Sequence, residues 1–375
     1  MKCFDIFFAL LITILSSTLA CSPPYLECSN DKPSGNLSKR GTGGLRGDNI
    51  QPWPINRPQA GLRVIWFCFA SKEDRDKLCN YFYGGLKMWE QQLGGWGSPT
   101  SGHSIYFQET FFKETPESMP GPRFCFKDGT WDYEKETGDW NPYVHPDTLM
   151  IRLSKKSFWS TVAYRTTNDP GRHALGITDD LDPNKKAMHI SYVAHEIGHT
   201  MGMVHEHQRK DRDDYVTVNY HNIVNYEQAK TQFLADDKTM DEEGADWLLQ
   251  TTYTYPKKYD TPAYEFMKPN EGQIGPPTDL LWVDHREPFD LESIMLYHSQ
   301  AHVQDREKAS REQDSCSILK IVKDDHGNRI GLDFVRPNWL PSKGDAAWVK
   351  RNYPYQGPQT LPQNPPQDPG SGPAS

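Results

Sequence analysis

His195, His199 and His205, with Glu196 beside the first of them, fall at the spacing H-E-x-x-H-x-x-G-x-x-H in the segment HEIGHTMGMVHE, residues 195–206. Two histidines four residues apart on a helix lie one turn apart on one face, so both imidazoles can reach a single metal ion at about 2.0–2.1 Å. Gly202 stands where the chain must leave that helix. Lacking a Cβ, it can take the left-handed conformation that reverses the chain and returns His205 as a third ligand. Three neutral imidazoles leave Zn²⁺ its double charge and a position open for water, whose pKa falls to roughly 7 in such sites. Glu196 can accept that proton and pass it to a leaving amine, a role typically worth about 10²–10⁴ in rate. The chemistry predicted is peptide-bond hydrolysis by zinc-bound water, with one Zn²⁺ per subunit, Glu196 as general base and proteins or peptides as substrates. A purely structural zinc site would use four protein ligands and favour Cys. A helix that carries His by chance is also a poor account, because three of only thirteen histidines take the ligand spacings and a Gly takes the turn.

The elements that must hold these residues can be read from hydrophobic period. Ile190, Val193, Ala194, Ile197 and Met201 recur every three to four residues, so one face of the motif helix can enter a core while His195 and His199 share another. His173, His189 and His207 lie off the ligand spacing and read as solvated or hydrogen-bonded histidines, and Asp211, Asp213 and Asp214 as partners of Arg209 and Arg212. Upstream, the β-branched and aromatic run from Leu62 to Phe69 predicts a strand. Leu78, Phe82, Leu86 and Trp89 then predict a helix stopped at Gly94-Gly95. Ser104 to Phe112 and Thr148 to Leu153 are further strands. Beyond the motif the period fades, and Ala229 to Pro288, rich in Asp, Tyr, Pro and Gly, reads as long loops. Strands and a helix first, irregular chain later, predict an α+β domain of two unequal lobes.

A chain of 375 residues, 36% hydrophobic and 24% charged, is ample for one large catalytic domain. The net charge of -9 and the lack of a basic stripe exclude general attraction to nucleic acid or to anionic lipid. Lys2, the apolar run Ile6 to Leu15 and small residues ending at Ala20 have the layout of a signal peptide, 1–20, too short to span a bilayer. A secreted, extracellular monomer with no membrane attachment is expected. Residues 21–52, rich in Pro, Ser, Gly and Asn, contain the sequon Asn36-Leu37-Ser38 and the dibasic pair Lys39-Arg40 and read as a propeptide. The peptidase domain would run over 53–353. The tail 354–375, with seven Pro and three Gly in 22 residues, is expected to be disordered. Without Cys3, Cys21 and Cys28, which lie in segments expected to be removed, Cys68, Cys79, Cys125 and Cys316 remain. Four cysteines allow three pairings that sequence cannot rank, and Cys68, inside an apolar run, could equally be a free thiol.

The segment His195 to Val218, HEIGHTMGMVHEHQRKDRDDYVTV, resembles the astacin family of metzincin zinc peptidases. The resemblance extends through Glu206, Arg209, Asp211, Arg212, Asp213, Tyr215 and Val216. Glu206, the residue after the third His, is the discriminating one among metzincins. The resemblance implies a two-lobed catalytic domain with a twisted, mostly parallel sheet and long helices in the N-terminal lobe, and an irregular C-terminal lobe with a Met-turn. Ser293-Ile294-Met295-Leu296-Tyr297 looks like that turn, which makes Met295 the floor of the zinc site and Tyr297 a mobile ligand that leaves on substrate binding and donates to the oxyanion. Leu296 departs from the usual His. Leu45-Arg46-Gly47-Asp48 is similar to the F-x-G-D motif of astacin proforms, which makes Asp48 a latency switch. Ser342 with Asp345 would open the last helix as a capping box.

Two departures from the family pattern limit what carries over. The usual Cys near the zinc helix are absent where Ser157-Phe158-Trp159-Ser160 stands, and the stretch between Tyr226 and Phe289 is longer than usual. The strand His173 to Ile177 is expected to be the edge that aligns substrate by backbone pairing, with Arg165 and Arg172 selecting acidic side chains after the scissile bond. The rival from another class is a catalytically silent secreted zinc protein that binds a partner through its cleft. Glu196 argues against it, since a binding module needs no base beside a ligand.

Overall fold

A computed structural model describes residues 50–112, 121–155, 157–268 and 288–358. Asp48, the proposed leader and propeptide up to residue 49, and most of the Pro-rich tail lie outside the described residues. In chain order the first half carries β1 (Ile50–Gln51), β2 (Arg63–Phe69), α1 (Lys72–Leu93), β3 (Ile105–Glu109), β4 (Phe111–Phe112), β5 (Gly121–Pro122), β6 (Leu149–Ser154), β7 (Trp159–Ser160), β8 (Tyr164–Arg165), β9 (Ala174–Thr178) and α2 (Lys186–Met201). The predicted early strands and helix all form, and α1 is capped by Ser71, whose hydroxyl accepts from the amide of Asp74.

The main sheet has the order β3-β2-β6-β9-β7, parallel except for the antiparallel edge pair β7–β9. Every residue of β6 and β9 is buried, the mark of strands covered on both faces. On one face Ile65, Phe67 and Phe69 meet Leu78, Phe82 and Trp89 of α1 and Val193, Ala194, Ile197 and Met201 of α2. The Trp89 indole donates to the Ala194 carbonyl at 2.8 Å, so the helix pair is fixed by a buried hydrogen bond as well as by packing. On the other face Cys68 is joined to Cys125 in a disulfide, which rules out the free-thiol alternative for Cys68 and leaves Cys79 and Cys316 as buried thiols.

Two expectations about this half are corrected. The strand from 174 to 178 is interior, flanked by β6 and β7, because the chain before it doubles back to lay Trp159–Ser160 along it; β7 is the edge. Arg172 is buried and cannot select substrate: its guanidinium donates to the carbonyls of Arg165, Pro146 and Asp169 and to the Asp147 carboxylate.

The second half contains β10 (Val216–Val218), α3 (Tyr226–Asp236), α4 (Glu242–Thr251), α5 (Thr254–Lys258), α6 (Arg306–Ala309), β11 (Ile318–Lys323), β12 (Arg329–Phe334) and α7 (Lys343–Asn352). The long-loop reading of Ala229 to Pro288 is therefore overturned for its described part, since α3, α4 and α5 follow one another there with a further turn at Pro262–Phe266. Their helical repeats are short, Ala229 with Phe233 and Ala245 with Leu249, and together with Phe266 these residues all reach one core. Strands β10, β11 and β12 form an antiparallel sheet in that order. The α+β class and mostly parallel first sheet stand as expected. Among the described residues no helix is long and apolar enough to cross a membrane.

The Met-turn joins the two cores. Ile294 and Met295 pack in the first, whereas Leu296 and Tyr297, the next two residues, pack in the second. Asp345, the predicted capping-box residue of α7, also clamps this turn, accepting from the Ser293 hydroxyl at 2.6 Å and the Ile294 amide at 2.9 Å.

Candidate metal centre

The zinc helix ends as its sequence requires. Gly202 follows Met201 with φ 102°, and its amide turns back to the Gly198 and His199 carbonyls. That reversal puts His205 opposite His195 and His199, and the Nε2 of His205 lies 3.2 Å from the Nε2 of each. Two nitrogens roughly 2.05 Å from one tetrahedral ion would be about 3.3 Å apart, so the spacing fits a shared Zn²⁺.

Nδ1 of His195 donates to the Ile294 carbonyl at 2.8 Å, and Nδ1 of His199 to the Met203 carbonyl at 2.8 Å. A carbonyl can only accept, so each ring carries its proton on Nδ1 and keeps a lone pair on the nitrogen that faces the cluster. Burial holds all three rings neutral, pushing His195 down to about 4 and His199 to about 3, and His205 well below its ordinary value. Three converging neutral donors are what a divalent metal needs, and the cluster fits the zinc pattern.

Glu196 is buried, with Oε2 lacking a hydrogen-bond partner among the described residues. Burial, followed by the nearby Glu265 carboxyl, drives its pKa well above the usual carboxylate range. A dication on the three histidines would supply the missing countercharge, so this orphaned oxygen is a second sign that the site is built for a metal.

Met295 lies directly under the helix. A Cβ added at Gly198 would come within 2.6 Å of the Met295 sulfur, so only glycine lets the turn approach this closely. Tyr297 packs on His205 at 4.4 Å between ring centres and stacks on His207 at 4.3 Å. Glu206 does not face the metal. Its Oε1 accepts from Arg209 at 3.0 Å and from the Asp290 amide at 2.8 Å, while its own amide donates to the Met295 carbonyl at 3.0 Å. It thus ties the end of the zinc segment to the Met-turn. Arg209 also grips Asp211 through two bonds and Arg212 meets Asp213, the pairing expected for these two aspartates, while Asp214 is exposed.

His207 and His173 are hydrogen-bonded as read, to the Glu265 carbonyl and to the Arg165 amide respectively. His189 is neither solvated nor fully bonded: it is buried among Tyr81 and Phe158, with Nδ1 unpartnered among the described residues, because α2 turns it into the core.

Two features escaped the sequence. Glu265, in the stretch read as loop, sets its carboxyl 4.0 Å from Nδ1 of His205. Burial disfavours charge on both, pushing Glu265 up to about 8, so without a metal they meet as neutral carboxyl and neutral imidazole rather than as an ion pair. The other is a cleft of about 480 Å³, open mouth included, beside Glu196. Ser191, Tyr192 and His195 wall it from α2, Ile294 to His298 in part from the Met-turn, and Pro337, Asn338 and Trp339 from the chain before α7. The only local signal for either was apolar residues without period.

The family model of the astacin peptidases matches residues 171–275, which include the segment His195–Val218 that carries the resemblance. Zinc metalloproteinase dpy-31 of Caenorhabditis elegans is 40% identical over 67 residues, 18% of this chain and 11% of that protein. Nematocyst expressed protein 6 of Nematostella vectensis is 36% identical over 87 residues, 23% of this chain and 28% of that protein. The chain thus spans about a tenth to under a third of these curated relatives. Among solved structures, high choriolytic enzyme 1, a hatching-enzyme zinc protease of Oryzias latipes, is 17% identical with a TM-score of 0.41, covering 84% of this chain and 96% of that one. That overlay is too loose to place any residue.

Proposed function

We propose that this chain, which carries an astacin-type zinc segment within residues 171–275, is a secreted zinc-dependent endopeptidase acting on proteins or peptides. The observation that carries the reading is the convergence of three Nε2 lone pairs beside the buried Glu196 carboxyl, whose Oε2 has no hydrogen-bond partner among the described residues and which walls a cleft. Zn²⁺ bound by His195, His199 and His205 would supply a Lewis acid for water and for the scissile carbonyl. Glu196 accepts the attacking water's proton and returns it to the leaving nitrogen. The Tyr297 phenol, whose ring packs on His205, would donate to the oxyanion as it develops. Met295 props the zinc helix from below, and Glu206 fixes the Met-turn against it. Substrate backbone would pair with the edge strand β7, in place of the interior strand 174–178.

Latency is assigned to Asp48. Two residues on, Ile50–Gln51 pairs antiparallel with Tyr164–Arg165, and the Trp53 indole donates to the Thr200 carbonyl at 2.7 Å. These contacts tether the chain near the end of the zinc helix and support a propeptide, 21–52, that reaches the metal until cleavage removes it. A leader at 1–20, a peptidase domain over 53–353, a disordered tail at 354–375 and a monomeric extracellular product complete the reading. The test compares the processed, zinc-loaded protein with its Glu196→Ala form on a peptide library. Cleavage abolished by a chelator and seen only with Glu196 is expected. Equal inactivity of the two would favour the silent zinc-binding protein.

A further inference from the structure

The geometry points to an uncharged, apolar side chain, that of the residue just after the scissile bond, as the occupant of the cleft beside Glu196. The inference rests on the peptidase reading and adds the substrate class. Glu196 hands a proton to the leaving nitrogen, so the residue that owns this nitrogen must lie against Glu196, and its side chain enters the space that Glu196 walls.

The chemistry of the other walls decides what fits there. Tyr192, Ile294, Leu296, Pro337 and Trp339 present rings and hydrocarbon, and among the described residues no Lys or Arg lines the cleft. Asn338 and Ser191, two of its polar members, are already committed. The Asn338 amide donates to the Leu291 and Ser293 carbonyls at 3.0 and 2.9 Å, and the Ser191 hydroxyl to the Trp339 carbonyl at 2.7 Å. Trp339 and Leu340 stay exposed at 39% and 60%, extending the apolar surface at and beyond this wall.

A carboxylate entering the cleft would lose its hydration, find no Lys or Arg to pair with and approach the Glu196 carboxyl. Leucine or phenylalanine would instead leave water for an apolar wall. Burial of one such side chain corresponds to roughly 10–100-fold in specificity.

The test uses the processed, zinc-loaded chain and quenched peptides that differ only after the scissile bond, carrying Leu, Phe, Asp or Lys. Leu and Phe are expected to exceed Asp by roughly 10–100-fold in kcat/KM. Trp339→Arg, a change at a half-exposed site, should narrow the gap by improving Asp. A second readout is fluorescence anisotropy of the same peptides on the Glu196→Ala form, where the apolar preference should persist in Kd. Asp cleaved as well as Leu, or an unchanged ratio in Trp339→Arg, overturns the inference and leaves the peptidase standing. No cleavage of any peptide with the binding preference intact supports the cleft's assignment and sinks the peptidase instead. No cleavage and no preference sinks both.

Discussion

The core under the parallel sheet and the core behind the Met-turn hold the same metal centre by different means. In the first, a long helix and regular strands deliver large residues at fixed period, so Leu78, Phe82 and Trp89 of α1 stack over Ile65, Phe67 and Phe69 of β2. In the second, short helices contribute at most three buried residues each, and Phe233, Leu249 and Phe266 meet only because turns bring them together. The zinc helix belongs to the first core, while Tyr297 and the rings around it belong to the second. A site at such a seam depends on both cores but in different ways: the periodic core fixes where the ligands stand, and the aperiodic core fixes what surrounds them.

Truncations of matched size in the two cores test that division most strongly. Phe82→Ala and Phe266→Ala should each cost about 3–5 kcal/mol in denaturant unfolding, since both rings are fully buried. Phe266 packs on His207 and Tyr297, so its loss should also weaken zinc binding in the folded protein, whereas Phe82→Ala should leave zinc affinity unchanged. Equal zinc affinities in the two variants would break the proposed division.

Removing the disulfide by Cys68→Ser with Cys125→Ser opens a loop of 57 residues on the far face of the sheet. A stability loss of about 2–4 kcal/mol is expected, with zinc stoichiometry kept, as melting and metal analysis would report. Loss of zinc there would mean that the sheet's two faces are coupled more tightly than its layers suggest.

Glu265→Gln sharpens the role of the second core. With its carboxyl 4.0 Å from Nδ1 of His205, its loss should weaken zinc roughly 10–100-fold in competition with a chelator, while the melting of the metal-free protein barely moves. Unchanged zinc affinity would reduce Glu265 to a packing residue.

The smallest expected effect lies in the first core. Asp74, buried at the start of α1, has its carboxyl raised to about 6, first by burial, against the opposing pull of a Leu153 backbone hydrogen bond. A native pKa above the unfolded value means that the folded chain binds the proton more tightly, so stability is greatest in acid and falls as pH rises from about 4 to about 6. Asp74→Asn should flatten that slope and gain on the order of 1–2 kcal/mol near neutral pH, read by urea unfolding at several pH values. A slope identical to that of the parent would assign the pH dependence to other groups.

What could be read beforehand follows the same division. The strands at 63–69, 105–109 and 149–154 and the helix at 72–93 were visible because a buried face repeats with the period of its element. Arg172 and the strand after it were misread because spacing says nothing about which carbonyls a guanidinium will find or which strand will cover an edge. Helices α3 to α5 were missed because each is short: Tyr226, Ala229 and Phe233, then Ala245 and Leu249, keep helical spacing for only a turn or two.

The histidine cluster itself was legible in the sequence alone. His195, Glu196, His199, Gly202 and His205 lie within eleven consecutive residues, where helix pitch and one left-handed glycine fix their relative positions whatever else the chain does. Tertiary structure decided the rest: Met295 under Gly198, Glu265 beside His205, Cys68 joined to Cys125, and Trp339 packed on Tyr192. Those contacts join residues far apart in the chain. Their free energy comes from surface removed from water once whole elements dock, a quantity that no local spacing encodes.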